Sequence, residues 1–366
     1  MYLKQIINIL EEQYPKNLAY DWDNVGLLVG NINSDIKNIM LCLEANESII
    51  DEAIQNKVDL IITHHPFIFK KLTSINENDI KGKCIYKLIK NNINIYCMHT
   101  NFDIAFGGLN DAFAQMLNLQ NINILENAKN ETLYKIAVYV PLSHEEVVRE
   151  AMTNSDAGNI GNYRDCTFNT KGTGTFRPSQ ESNPFIGRSE ILERVEEVKI
   201  ESVCEQRNLN KIINNMIKAH PYEEVAYDIY KLENKGKSYG LGRYGSLEWG
   251  MTLEELSNKI KIGLNSKHLR IVGKSDKIVK KIAIVTGSGG DFVKKSYLRG
   301  CDVLVTGDVK YHEAQDAIDL GIAIIDAGHF ETENIFIDIV HNYLSQRLSD
   351  VNIIKSSINI NPFSII

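Results

Sequence analysis

Two hydrophobic rhythms alternate through the first third of the chain. NIMLCLE (38–44), VDLIITHH (58–65) and INIYCMHTNFD (93–103) begin as near-continuous apolar runs of strand length, whereas NESIIDEAIQNK (46–57) and KCIYKLIKNN (83–92) space their apolar residues at a helical period. Continuous runs read as strands buried on both faces, and their alternation with helices predicts a parallel or mixed sheet covered by helices. The last third repeats the theme with KIAIVTGSGG (281–290), DFVKKSYLRG (291–300), CDVLVTGDV (301–309), YHEAQDAIDLG (311–321) and IAIIDAGHFETE (322–333). Setting VDLIITHH over CDVLVTGD, and INIYCMHTNFD over IAIIDAGHFETE, predicts a diverged internal duplication. Polar residues then fall at the same strand ends in both copies, which is where open α/β sheets place their ligands.

The middle of the chain changes character. TLYKIAVYVP (132–141) reads as a strand, SHEEVVREAMTNS (143–155) as a helix and RDCTFNTKGTGTFRP (164–178) as a Gly- and Thr-rich β segment. RVEEVKIESVCE (194–205) reads as a strand, LNKIINNMIKA (209–219) as a helix and VAYDIYKLE (225–233) as a strand. That βαββαβ order is the ferredoxin-like pattern. The fold class expected is therefore α/β: a duplicated α/β domain with a mixed sheet over 1–130 and 235–366, interrupted by an inserted ferredoxin-like α+β domain over 131–234.

Composition narrows the partners. A chain of 366 residues, 43% hydrophobic, is long enough for two compact domains. Its net charge of -7 disfavours a protein built to neutralise phosphates, so nucleic acid is not the favoured partner and small molecules or proteins are. The basic segment Lys267–Lys281 reads as solvated lysines flanking a strand. Six scattered cysteines without a C-x-x-C pair read as reduced core thiols. MYLKQIINILEEQYP reads as an amphipathic helix rather than a signal peptide, and no apolar run reaches the ~18 residues of a membrane span. A cytoplasmic location and no membrane partner are expected.

The strand ends carry the candidate chemistry. Successive side chains on a strand point to opposite faces, so His64 and His65 would serve two different ions more readily than one. His99 and Asp103 lie four positions apart in HTNFD; His329 and Glu333 lie four apart in GHFETE and share a face if a helical turn follows Gly328. Singly, a strand-end histidine is ordinarily a hydrogen-bonded surface residue, and HxxxE is common on exposed helices. Three such motifs, each closing an apolar strand, point to metal. Imidazole and carboxylate ligands suit Zn, Mn, Fe or Ni rather than Ca or Mg. A bridging carboxylate would let five residues hold two ions with positions open for water, and ions ~3.5–4 Å apart acidify a bridging water into a hydroxide nucleophile. His99 and His312 are candidates for proton handling or substrate contact, and Asp308 either joins the site or caps a helix. TGSGGDF (286–292) and WDNVGLLVG (22–30) read as turns, and His220 as a turn residue rather than a ligand.

WDNVGLLVG, ITHHP, HTNFD, GTGTFRP, AHPYEEVAYDIY, TGDVKYHEAQDA and DAGHFETE together resemble the dinuclear-metal-centre family of GTP cyclohydrolase 1 type 2 homologues, in its long bacterial form. The resemblance spans essentially the whole chain. It implies a middle insert similar to the PII and CutA type, a toroidal homohexamer with metal sites facing an internal cavity, and two divalent transition-metal ions per chain, zinc first among them. By resemblance the ligands fall on His64 with His329 for one ion, His65 with Asp103 for the other, and Glu333 bridging both.

Two classes of function follow. The first is a metal-dependent hydrolase in which a metal-bridging hydroxide attacks C8 of a guanine nucleotide or a phosphoester, with Glu333, His99 and His312 as the catalytic candidates. The alternative is a non-catalytic metal-loaded hexameric ring that binds a protein or nucleic-acid partner. The CutA-like insert adds metal handling as a third role.

Overall fold

The computed structural model describes residues 1–364. The chain divides into two compact units, one of Met1–Lys129 with Tyr239–Ile366, the other of Asn130–Ser238. In chain order the strands are β1 (Gly26–Val29), β2 (Asn38–Cys42), β3 (Leu60–Thr63), β4 (Asn94–Cys97), β5 (Gln120–Pro141), β6 (Phe168–Phe176), β7 (Glu193–Glu205), β8 (Tyr227–Thr252), β9 (Arg270–Val272), β10 (Ile278–Ser288), β11 (Val303–Gly307), β12 (Ala323–Asp326) and β13 (Asn352–Lys355). They form two mixed sheets, so the protein is mixed α/β.

In the first unit one sheet has the order β1-β4-β3-β2-β13, with β13, β2, β3 and β4 parallel and β1 antiparallel at the edge. Cys42 pairs with Thr63, and Thr63 with Cys97, so β2, β3 and β4 end level with one another. Glu44, His64, His65 and His99 therefore leave the sheet along one rim. In the second sheet β10, β11 and β12 are parallel, with β8 antiparallel to β10 and β9 antiparallel to β12. Ser288 pairs with Gly307, and Thr306 with Asp326, which sets Asp308 and His329 just beyond that sheet's own C-terminal rim.

Period-two alternation places both faces of each sheet in apolar cores. Ile39, Leu41, Leu60, Ile62 and Tyr96 enter one core with Leu3, Ile6 and Leu10 of helix Leu3–Gln13, while Met40, Ile61 and Ile95 enter another. The second sheet repeats this: Ile282, Ile284, Val303 and Val305 face one core, and Ala283, Val285 and Leu304 the other. The strands expected at both ends of the chain are thus present and apolar on both faces. No helix among the described residues is long and apolar enough to cross a membrane. The six cysteines are free, and all but Cys166 are buried.

The second unit contains its elements in the order strand, helix Glu145–Thr153, strand, strand, helix Leu209–Ala219, strand, with β6, β7, β5 and β8 as sheet neighbours. Leu133–Pro141 of β5 runs antiparallel to β7, as does β6. Its core is built by Ile136, Val138, Val148, Met152, Ile200, Ile212 and Met216. Strands β5 and β8 are far longer, at 22 and 26 residues, than the apolar segments that announce them. The extensions QNINILENAKNE and NKGKSYGLGRYG carry little β propensity of their own, and partner strands supply the backbone hydrogen bonds that hold them extended.

Candidate metal centre

Where β3 gives out, the chain turns at the two histidines. The amides of His64 and His65 both donate to the Leu43 carbonyl, at 3.1 and 2.9 Å, which fixes this ragged strand end against the end of β2. The His64 side chain is fully buried; its Nδ1 donates to the Met98 carbonyl at 2.8 Å, so the tautomer is set and Nε2 carries the free lone pair. That atom finds no hydrogen-bond partner. It lies 3.7 Å from Asp103 Oδ1 and 3.7 Å from Glu333 Oε1, too far for hydrogen bonds. Asp103 Oδ1 is buried and unpartnered as well. Two inward-facing Lewis bases, desolvated and unsatisfied, are costly in a folded chain unless a cation completes them.

Gly328, at φ 87°, lets the chain turn into helix His329–Glu333, and the i,i+4 spacing brings His329 Nε2 to 3.0 Å from Glu333 Oε2. His65 Nε2 reaches the same oxygen at 2.7 Å. The two oxygens of Glu333 thus face different partners, Oε1 toward His64 and Oε2 toward His65 and His329. His64, His65 and Glu333 converge tightly enough that they could hold a metal ion. The ring of His99 lies 5.2 Å from His64 and 5.9 Å from His65, and that of His329 lies 5.5 Å from His65.

His64 Nε2 stands beside Asp103, which follows β4, and the His65 ring beside that of His329, which follows β12. The His99 Nδ1 donates to both oxygens of Asp23, at 2.9 and 3.0 Å, and Thr100 donates to Asp23 through its amide and hydroxyl. His312 is exposed on the first turn of helix Tyr311–Leu320, its ring against Tyr311.

The electrostatics ask for positive charge. Burial opposes protonation of His65, but the hydrogen bond to Glu333 and the nearby Glu44 carboxylate outweigh it and push the imidazole up to about 10. His329 is pushed up to about 9 by its hydrogen bond to Glu333 against the pull of burial, with Asp308 adding to the rise. Burial works to raise Glu333, yet the surrounding imidazoles hold it well below the ordinary carboxylate range. Asp103 shifts the other way, raised by burial beside that carboxylate. Both nitrogens of His329 face carboxylates, Nδ1 meeting Asp308 Oδ2 at 2.6 Å, so the cluster is balanced either by protons or by a cation that displaces them.

Glu44 and Gly287 also shape the site and are not evident from the motifs alone, whereas Asp308 is a candidate the sequence offers. Glu44 Oε2 lies 3.6 Å from His65 Nδ1; its place two residues past β2, on the same rim, is the signal that finds it. Asp308, at φ 54°, adopts a left-handed conformation to meet His329, joining the site rather than capping a helix. Gly287 is part of the wall: a Cβ there would lie 2.1 Å from Glu333 Oε1, and its φ of 68° also requires glycine. The TGSGGDF turn therefore makes room for the Glu333 carboxylate.

Residues 1–362 match the family model described as Duf34/NIF3 (NGG1p interacting factor 3). The chain belongs to the Duf34/NIF3 family. It is 43% identical over 365 residues to proteins of Halalkalibacterium halodurans and of Bacillus subtilis, each called a GTP cyclohydrolase 1 type 2 homolog, covering 99% of this chain and 98% of theirs. Among solved structures, a Bacillus cereus protein related to NIF3 superposes with a TM-score of 0.92 at 41% identity, covering 100% of this chain and 99% of that one. A Staphylococcus aureus protein superposes with a TM-score of 0.77 at 31% identity, with the same coverage. Membership in Duf34/NIF3 agrees with the resemblance drawn from the seven motifs, and the fold extends over the whole chain.

Proposed function

We propose that this Duf34/NIF3 protein is a metal-dependent hydrolase with a dinuclear centre held by His64, His65, Asp103, His329 and Glu333. One observation carries the proposal. The Glu333 carboxylate presents one oxygen to His64, whose Nε2 is buried and unsatisfied, and the other to His65 and His329. A carboxylate so flanked is suited to bridging, with Asp103 completing the His64 side. The imidazole and carboxylate donors favour Zn, with Mn, Fe and Ni also compatible. Divalent ions bound there would supply Lewis acidity and a water acidic enough to react near neutral pH.

The chain's own groups would do the rest. Asp23 locks His99 through Nδ1, leaving Nε2 as the nitrogen that exchanges a proton with substrate. Asp308 and the Met98 carbonyl orient His329 and His64. His312, exposed and outside these contacts, has no role in this reading. The name of the curated relatives makes GTP one substrate to try, and phosphoesters the other. A ferredoxin-like nature for the second unit, a toroidal homohexamer and a cytoplasmic location belong to the same proposal. The βαββαβ order with sheet neighbours β6-β7-β5-β8 supports the first of these.

Elemental analysis of the purified protein, beside a turnover panel of GTP, cyclic nucleotides and phosphodiesters, tests the reading. About two transition-metal ions per chain are expected, with turnover of at least one substrate that Glu333→Ala abolishes. Full metal occupancy without turnover across the panel would leave a metal-loaded binding ring instead. Light scattering on the same sample reads the hexamer.

A further inference from the structure

We propose that Trp22, with Tyr20 and Phe69, forms a stacking platform that seats a flat heteroaromatic ring of the substrate next to the metal centre. The inference rests on the proposed centre for where the reacting group lies, but the ring contact stands on its own geometry.

Trp22 is 62% exposed and Phe69 55%, and with Tyr20 they lie together as a group of rings rather than scattered singly. Yet both are placed firmly. Asp23 is anchored by His99 and by Thr100, so its chain neighbour Trp22 is fixed beside the His99 imidazole, 6.3 Å away and edge-on at 77°. Asn24 donates to the Ile68 carbonyl at 2.5 Å, tying the loop that carries Phe69 to the turn that carries Trp22. The Tyr20 amide donates to Thr100 Oγ1 at 3.1 Å. Tyr20 lies nearly parallel to Trp22, with centroids 5.7 Å apart at 16°, and Phe69 stands across it at 6.2 Å and 74°.

The result is an indole backed by one ring, walled by another and open to solvent. His99 links it to the cluster, with its ring 5.2 Å from His64. An extended π surface in water, held by hydrogen bonds rather than by burial, is what base stacking uses, and it accepts any flat heterocycle. The WDN turn then serves two ends: Asp23 orients His99, and Trp22 receives the ring. Substrates with an aromatic heterocycle are favoured over aliphatic phosphoesters.

The chain has two tryptophans, so Trp249→Phe, at a site 76% exposed, leaves Trp22 as the reporter. Guanosine and adenosine monophosphates should both quench its fluorescence in the full-length, metal-loaded protein, whereas ribose 5-phosphate should not. By calorimetry, Trp22→Ala should weaken nucleotide binding about ten-fold or more and Trp22→Phe should restore most of it. Unchanged fluorescence with both nucleotides, equal affinity in Trp22→Ala, or a Trp22 shielded from acrylamide by a neighbouring subunit would each overturn the platform. Metal content is measured on the same samples. Quenching in a metal-poor protein would keep the platform and remove the centre, and full metal without quenching would do the reverse.

Discussion

Two buried charged clusters in the first unit make opposite uses of similar groups. Arg243, 1% exposed, donates to Asp111 through Nε at 2.6 Å and Nη2 at 2.9 Å, and its Nη1 donates to the carbonyls of Gly240 and Gly242 at 2.7 and 2.9 Å. Each nitrogen of the guanidinium group has a hydrogen-bond acceptor. At the rim of β3, the similarly buried His64 and Asp103 leave Nε2 and Oδ1 without hydrogen bonds. A satisfied buried pair has no capacity for a ligand and serves the fold, while an unsatisfied one needs a ligand to complete it. Burial and charge alone would rank the two clusters alike; hydrogen-bond satisfaction separates them.

Breaking the satisfied cluster should have the larger cost. Arg243→Met leaves Asp111 buried and unpaired, and chemical denaturation should show a loss of about 3–5 kcal/mol. Replacing both partners, Arg243→Met with Asp111→Leu, should recover much of that loss; a double variant no better than the single one would contradict the view of a purely structural pair. The unsatisfied cluster should respond to metal instead. At about one hundred times its Kd, zinc should stabilise the protein by about 2.7 kcal/mol, and a chelator should remove that gain. Glu333→Ala should lack the response altogether, and Arg243→Met, if folded, should keep it. The smallest effect is sought in the groups behind the ligands. Asp308→Asn should weaken zinc affinity by about ten- to one-hundred-fold while leaving the metal-free melting temperature nearly unchanged. An unaltered affinity in a competition titration would remove Asp308 from the site.

Much of this was legible along the chain because it rests on short-range patterns. The apolar runs ending at Thr63, Cys97 and Asp326 are strands buried on both faces, and polar residues at their ends mark the ligand rim. Helix Leu3–Gln13 buries Leu3, Ile6, Ile7 and Leu10, as its spacing requires. The GHFETE turn behaves as a helix begun at a glycine, and so brings His329 and Glu333 together. The long extensions of β5 and β8 were not legible, because their residues take strand geometry from partners distant in sequence.

The sequence by itself determined which residues can act: strand-end histidines and carboxylates, set by a period of two along the strands and of four along the short helices. Only the tertiary structure decided how they group. The level ends of β3 and β4 set His64 beside Asp103, and the meeting of two sheets from opposite ends of the chain sets His65 beside His329 and Glu333 between them. Distances across 268 residues of chain, as from His65 to Glu333, carry no periodic signal; packing of the two sheets fixes them. The same packing places the Glu333 carboxylate against Gly287 and withholds hydrogen bonds from His64 Nε2 and Asp103 Oδ1, and it is that withheld satisfaction which distinguishes a binding site from a core.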